Sequence, residues 1–141
     1  MRKRSGPARQ TAQHNQAKTL FIDCSIGKHP VGALRSAGAN VVHLDDIFPQ
    51  NTPDEEWLTE AGKQGWIVLT KDKGIRYKPN EITMFKKSGV VAVVLVSGNM
   101  KREEMAKLLC ESLKNIFRAA GKATPPAMFA LTRDGKLNQK F

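Results

Sequence analysis

Trp66-Ile67-Val68-Leu69-Thr70-Lys71-Asp72-Lys73 is an apolar run of strand length that breaks into charge, with an acid just beyond the run. A short, continuously apolar run suits a strand buried on both faces of a sheet, as in parallel α/β proteins. Thr19-Leu20-Phe21-Ile22-Asp23 has the same form. Working outward, Leu20–Ile22, Val41–Leu44, Trp66–Leu69, Val90–Val96 and Met128–Leu131 read as strands. Val90–Val96 is the most apolar and is expected at the centre of the sheet.

Helical patterns lie between these runs. Val31–Ala37 reads as a short helix entered at Pro30 and stopped by Gly38. A second starts at Thr52-Pro53-Asp54-Glu55, with Pro53 at the first helical position and Thr52 and Glu55 as a capping box. It runs to about Lys63 and ends before Gly65. A third spans Asn80–Lys87. The last is capped by Asn99, runs to about Ala120 and ends at Gly121. Its Met105, Leu108, Leu109, Leu113, Ile116 and Phe117 form one apolar stripe. Arg133-Asp134-Gly135-Lys136 is a turn signal. The alternation predicts a three-layer α/β/α sandwich with a central, mainly parallel sheet.

The chain has 141 residues, one domain's worth, with 40% hydrophobic residues and a net charge of +10. That balance favours an anionic partner such as nucleic acid. Cys24 and Cys110 are too few for a disulfide scaffold and lack metal-type spacing. No apolar stretch approaches the ~20 residues that span a bilayer. A cytoplasmic protein with reduced thiols and no membrane contact is expected. Residues 1–17 carry Arg2, Lys3, Arg4 and Arg9, no acid and almost no large apolar residue. They read as a basic disordered tail, with the domain over 18–141.

Sites in open parallel sheets form beyond the carboxyl ends of the strands. Asp23 and Asp72 occupy that edge, and Asp54 opens the helix that returns from it. Singly, each acid suits a helix cap, a loop turn or a helix dipole. Together they form a like-charged group that a divalent cation would offset. Asp45 and Asp46 follow the second strand and read as loop acids rather than further ligands. Lys71, Lys73, Arg76 and Lys78 surround Asp72 as a basic rim suited to the phosphates of a phosphodiester substrate. His29 and His43 are isolated, His43 in an apolar strand. Cys24 and Ser25 follow Asp23, but no base is placed to make either a nucleophile.

These residues resemble the PIN-like nucleases, and most nearly the VapC-type toxins of bacterial toxin–antitoxin pairs. The matching segments are Phe21-Ile-Asp23-Cys-Ser25-Ile-Gly27, Leu34-Arg-Ser-Ala-Gly38 and Asp45-Asp46-Ile-Phe48-Pro49. Thr52-Pro-Asp54-Glu-Glu-Trp57-Leu, Gly65-Trp-Ile-Val-Leu-Thr70-Lys-Asp72-Lys73 and Ile75-Arg76-Tyr77 complete them. The resemblance implies a compact α/β/α fold and Mg²⁺- or Mn²⁺-dependent cleavage of RNA. It also implies a cognate antitoxin partner. It assigns Asp23, Asp54 and Asp72 as catalytic and metal-binding acids. Many such sites carry a fourth acid after the fourth strand, where this chain reads Ser97-Gly98-Asn99. That departure motivates the alternative of a PIN-like module that binds nucleic acid without hydrolysis. A receiver-like signalling domain also places acids at strand ends, but the net charge opposes it. Oligomeric state is left open between monomer and homo-oligomer.

Deleting residues 1–17 should leave the melting temperature nearly unchanged. Affinity for RNA should fall and depend less on salt, because as many as four phosphate-neutralising side chains are lost. Thermal melts and a salt titration of binding check both expectations.

Overall fold

The computed structural model describes residues 18–71, 78–96 and 99–141. The expected tail, together with Asp72, Lys73 and Arg76, lies outside the described residues. Among the described residues six strands form one sheet: β1 (Thr19–Ile22), β2 (Asn40–His43), β3 (Ile67–Lys71), β4 (Val91–Leu95), β5 (Ala127–Leu131) and β6 (Leu137–Gln139). Their order is β2-β1-β3-β4-β5-β6, with every pair parallel except β5–β6. Helices α1 (His29–Ser36), α2 (Leu44–Ile47), α3 (Asp54–Gln64), α4 (Pro79–Ser88) and α5 (Arg102–Lys122) connect them. This is the expected three-layer sandwich, with β3 and β4 at the middle of the sheet. Among the described residues no helix is long and apolar enough to cross a membrane.

Strand alternation divides the core in two. Leu20 and Ile22, Ile67 and Leu69, and Val91, Val93 and Leu95 pack on one face with Val31 and Leu34 of α1. Met105, Leu108, Leu109 and Ile116 of α5 join them, with Leu113 and Phe117 partly buried at the margin. Phe21, Val68, Ala92 and Val94 face the other way, toward Trp57, Leu58 and Ala61 of α3 and Phe85 of α4. Phe21 is the hub of that layer. Its ring stacks on Trp66 at 5.2 Å, lies 5.4 Å from Trp57, and meets Phe48 edge-on at 6.1 Å.

Several local expectations are corrected. Thr52 does not form a capping box with Glu55, because its hydroxyl donates to the Pro49 carbonyl at 2.6 Å. Pro53 is the N-cap of α3 rather than its first helical residue. Leu44 opens α2 instead of ending β2, and His43 Nδ1 caps that helix by accepting from the Asp45 N–H at 3.1 Å. Asp45 and Asp46 therefore sit on a helical turn, not in a loop. Asn99 does not cap α5. That helix starts at Arg102, where the Glu104 carboxylate accepts from the Lys101 N–H at 3.4 Å, and it passes through Gly121 to Lys122. β6 is short and polar on its open side, so it carries no apolar run to mark it. Gly65 ends α3 as expected, with φ of 72°.

The backbones of α3 and α4 approach closely at Gly62. A Cβ at Gly62 would lie 1.9 Å from the Ser88 carbonyl oxygen. Backbone cannot yield as a flexible side chain can, so the two helices must separate to admit a methyl. Gly62→Ala should cost roughly 2 kcal/mol or more despite its better helix propensity. Urea denaturation checks this; an unchanged or higher midpoint would contradict the contact.

Candidate acidic site at the carboxyl edge of the sheet

The chain leaves β1 for β2 on one side, then crosses to β3 on the other. The carboxyl ends of β1 and β3 therefore flank a switch point, the crevice where α/β sheets place their sites. An open cavity of about 550 Å³ lies there. Asp23 and Ser25 line it from beyond β1, Thr70 and Lys71 from β3, Asp45 from α2, and Asp54 from the start of α3. Glu81, in the first turn of α4, is the fourth acid among the described lining residues.

Asp23 is held from several directions. The Ser25 N–H donates to Oδ1 at 2.9 Å and the Ser25 hydroxyl donates to the same oxygen. The Thr70 hydroxyl donates to Oδ2 at 2.5 Å. Ser25 Oγ in turn accepts from the Lys71 N–H at 2.9 Å, which ties the loop after β1 to β3. The parallel register Ile22↔Leu69 makes this possible, because it sets Asp23 beside Thr70. Burial nevertheless raises the Asp23 pKa above the ordinary carboxylate value. The Ser25 and Thr70 hydrogen bonds oppose that rise, and the charge of Asp54 adds to it.

Asp54 is exposed and accepts from Trp57 Nε1 at 3.1 Å, one turn along the same helix. Asp45 accepts from Cys24 Sγ at 3.2 Å, while Asp46 turns to Lys28 at 3.6 Å. Partial desolvation, then the Asp45 carboxylate, push the Cys24 thiol up to about 11. It is protonated at neutral pH and unsuited to nucleophilic attack. Ser25 is engaged by the Asp23 carboxylate and the Lys71 amide, which accounts for its hydroxyl.

Asp23, Asp54 and Lys71 of the sequence-derived set thus share one cavity. Lys78 stands outside its lining, exposed at the N-cap of α4. Asp72, Lys73 and Arg76 lie outside the described residues. Asn99 is exposed and does not line the cavity. Sequence reading missed the part of Thr70 and Glu81. Thr70 is a polar residue closing an apolar strand, and Glu81 sits just inside the helix opened by Pro79. Oε2 of Glu81 is buried with no hydrogen-bond partner among the described residues.

Carboxylates are the hard oxygen donors that Mg²⁺ or Mn²⁺ prefers. Among the described residues, no three His, Cys, Asp or Glu side chains gather closely enough to hold a metal ion. The donor chemistry fits such an ion, which is commonly held by one or two carboxylates together with water and phosphate oxygens.

A family model described as PIN like domain matches residues 19–97. A curated relative from Mycobacterium tuberculosis (strain ATCC 25618 / H37Rv), named "Putative ribonuclease VapC45", is 28% identical over 106 residues. The match spans 72% of this chain and 77% of the relative. No solved structure matches the chain.

The raised pKa of Asp23 has a signed consequence. Its native carboxyl binds a proton more tightly than the unfolded one. Its contribution to stability is therefore greatest at acid pH and declines as pH rises through and above the ordinary carboxylate range. In EDTA, wild-type stability minus that of Asp23→Asn should fall with rising pH across that window. Thr70→Val removes one donor from Asp23 and should cost about 1–3 kcal/mol. Urea titrations at a series of pH values check both.

Proposed function

This chain belongs to the PIN-like domain family, and from that premise we propose that it is a divalent-metal-dependent endoribonuclease, the toxin of a toxin–antitoxin pair. One observation carries the reading: Asp23 and Asp54 reach a single open cavity beside Lys71, at the switch point of the sheet. The ribonuclease name of the curated relative supports the substrate class. Its VapC name supports a cognate antitoxin as the second partner. Asp72 follows Lys71 at the end of β3 and is the acid proposed to complete the set.

The residues divide the work. Ser25 and Thr70 orient Asp23 so that both of its oxygens are fixed before any ligand arrives. Asp54 is anchored by Trp57 on its own helix. Lys71 supplies positive charge at the cavity wall, suited to a phosphate flanking the scissile one. Lys73, Arg76 and Lys78 are proposed to extend that rim along the RNA. Bound Mg²⁺ or Mn²⁺ would offset the clustered acids and the phosphate, and acidify an attacking water. Asp23, Asp54 and Asp72 would hold it.

A second reading is a PIN-like module that binds RNA without cutting it. Asn99 in place of an acid after β4 favours it. Pure protein that retains RNA in Mn²⁺ without cleaving it would establish that reading instead.

Asp72→Asn should abolish cleavage and weaken metal binding, while the metal-free fold stays intact. Asp23→Asn and Asp54→Asn should behave alike, whereas exposed Glu103→Gln on α5 should cut at the wild-type rate. Mg²⁺ or Mn²⁺ should raise the melting temperature of the wild type by linkage. Wild-type activity in Asp72→Asn, or activity indifferent to EDTA, would overturn the site. Expression of the chain alone should arrest growth, and co-expression of the antitoxin should restore it.

A further inference from the structure

A second concavity, of about 500 Å³, lies away from the acids, between the C-terminal half of α5 and edge strand β6. Arg118 and Lys122 enter it from the helix, and Lys136 from the turn that leads into β6. Asn115 and Asn138 add amide groups, and Arg118 Nη1 donates to the Asn115 side chain at 3.5 Å. Among the described residues no carboxylate lines it. The nearest acid to Lys136 is Asp134, 3.8 Å away in an exposed pair of the kind that contributes little. Lys122 in the last turn also complements the helix dipole, but that explains neither Lys136 nor the convergence of two elements.

From this geometry we infer that the groove binds the sugar–phosphate backbone of RNA. Its three cations and two amides suit phosphate and ribose oxygens. A protein partner would need a large apolar or aromatic anchor. The groove offers only Ala119 and the half-buried Leu137, and the exposed large hydrophobic residue of the described chain is Ile47, on α2. The turn at one end of the groove follows the carboxyl end of β5, the edge of the sheet where the acidic cavity also lies, and Lys122 marks its other end, where α5 leads into β5. From β1 to β6 is four strand spacings, roughly 19 Å. A stacked strand with a phosphate every ~3.4 Å covers that span in about six nucleotides. On the ribonuclease reading, which this inference extends, the groove holds RNA outside the bond that is cut.

The test is binding of a ~20-nucleotide single-stranded RNA in EDTA, where cleavage cannot contribute, followed by fluorescence anisotropy across salt concentrations. Arg118→Gln, Lys122→Gln and Lys136→Gln combined should bind roughly ten- to a hundredfold more weakly at low salt, with the log–log salt slope lower by about 2. All three side chains are exposed, and an unchanged thermal melt verifies the fold. A control that neutralises exposed Lys63, Lys87 and Lys107 to Gln should keep most of the affinity. Equal losses in both triples would mean that net charge acts rather than the groove, and would overturn the assignment. So would wild-type RNA affinity in the groove triple together with lost binding of polyglutamate, which marks a protein surface. If wild-type protein fails to cleave RNA in Mn²⁺ but the groove triple still loses binding, the ribonuclease reading falls and the groove stands.

Discussion

The carboxylate of Asp23 sits at the end of a strand buried on both faces, where an unpartnered charge would be costly. Three donors meet it: the Ser25 amide, the Ser25 hydroxyl and the Thr70 hydroxyl. The arrangement holds only while β1 lies beside β3 in the register that pairs Ile22 with Leu69. A slip by one residue would turn Phe21 out of its aromatic layer and remove Thr70 from reach. The core and the site thus share one constraint. Phe21 stacked on Trp66 secures the register from the apolar side, and the hydroxyls secure it at the edge.

The helices on the Phe21 face bring in the remaining acids. Asp54 opens α3, and Glu81 lies in the first turn of α4. Toward the other ends of these helices, Gly62 lets α3 approach the Ser88 carbonyl of α4. A side chain at position 62 would force the two helices apart there. Burial, and to a lesser extent the charge of Asp54, disfavours the ionised form of Asp23 in the bare site. Sites that bind cations commonly have this character, since the ligand relieves the repulsion.

The charge distribution has two scales. A net charge of +10 gives the chain a long-range attraction for polyanions, whereas the cavity itself is lined by acids. On the proposed reading, an anionic substrate would be drawn to the surface by the first and tolerated at the centre only with positive charge beside it, from Lys71 or a bound ion. The groove along β6 gives part of the net charge a definite location.

Local rules applied to the amino-acid order were enough for the alternation of strands and helices, the buried strand β4, the Gly65 stop and the turn at 133–136. They also singled out Asp23 and Asp54, because acids that follow an apolar run or open a helix stand out in one dimension. Capping was misread where a rival partner lay nearby in space: Thr52 turned to the Pro49 carbonyl, and Asn99 gave way to Lys101 and Glu104. β6 escaped notice because three half-polar residues earn their pairing from β5, not from their own pattern. Thr70 and Glu81 were invisible for a related reason. Their importance comes from residues 47 and 27 positions away, Asp23 and Asp54, and only the crossover that sets β3 beside β1 brings them to the same cavity. Propensity and polarity are properties of neighbours along the chain, whereas the donors of a buried carboxylate and the walls of a cavity are properties of packing.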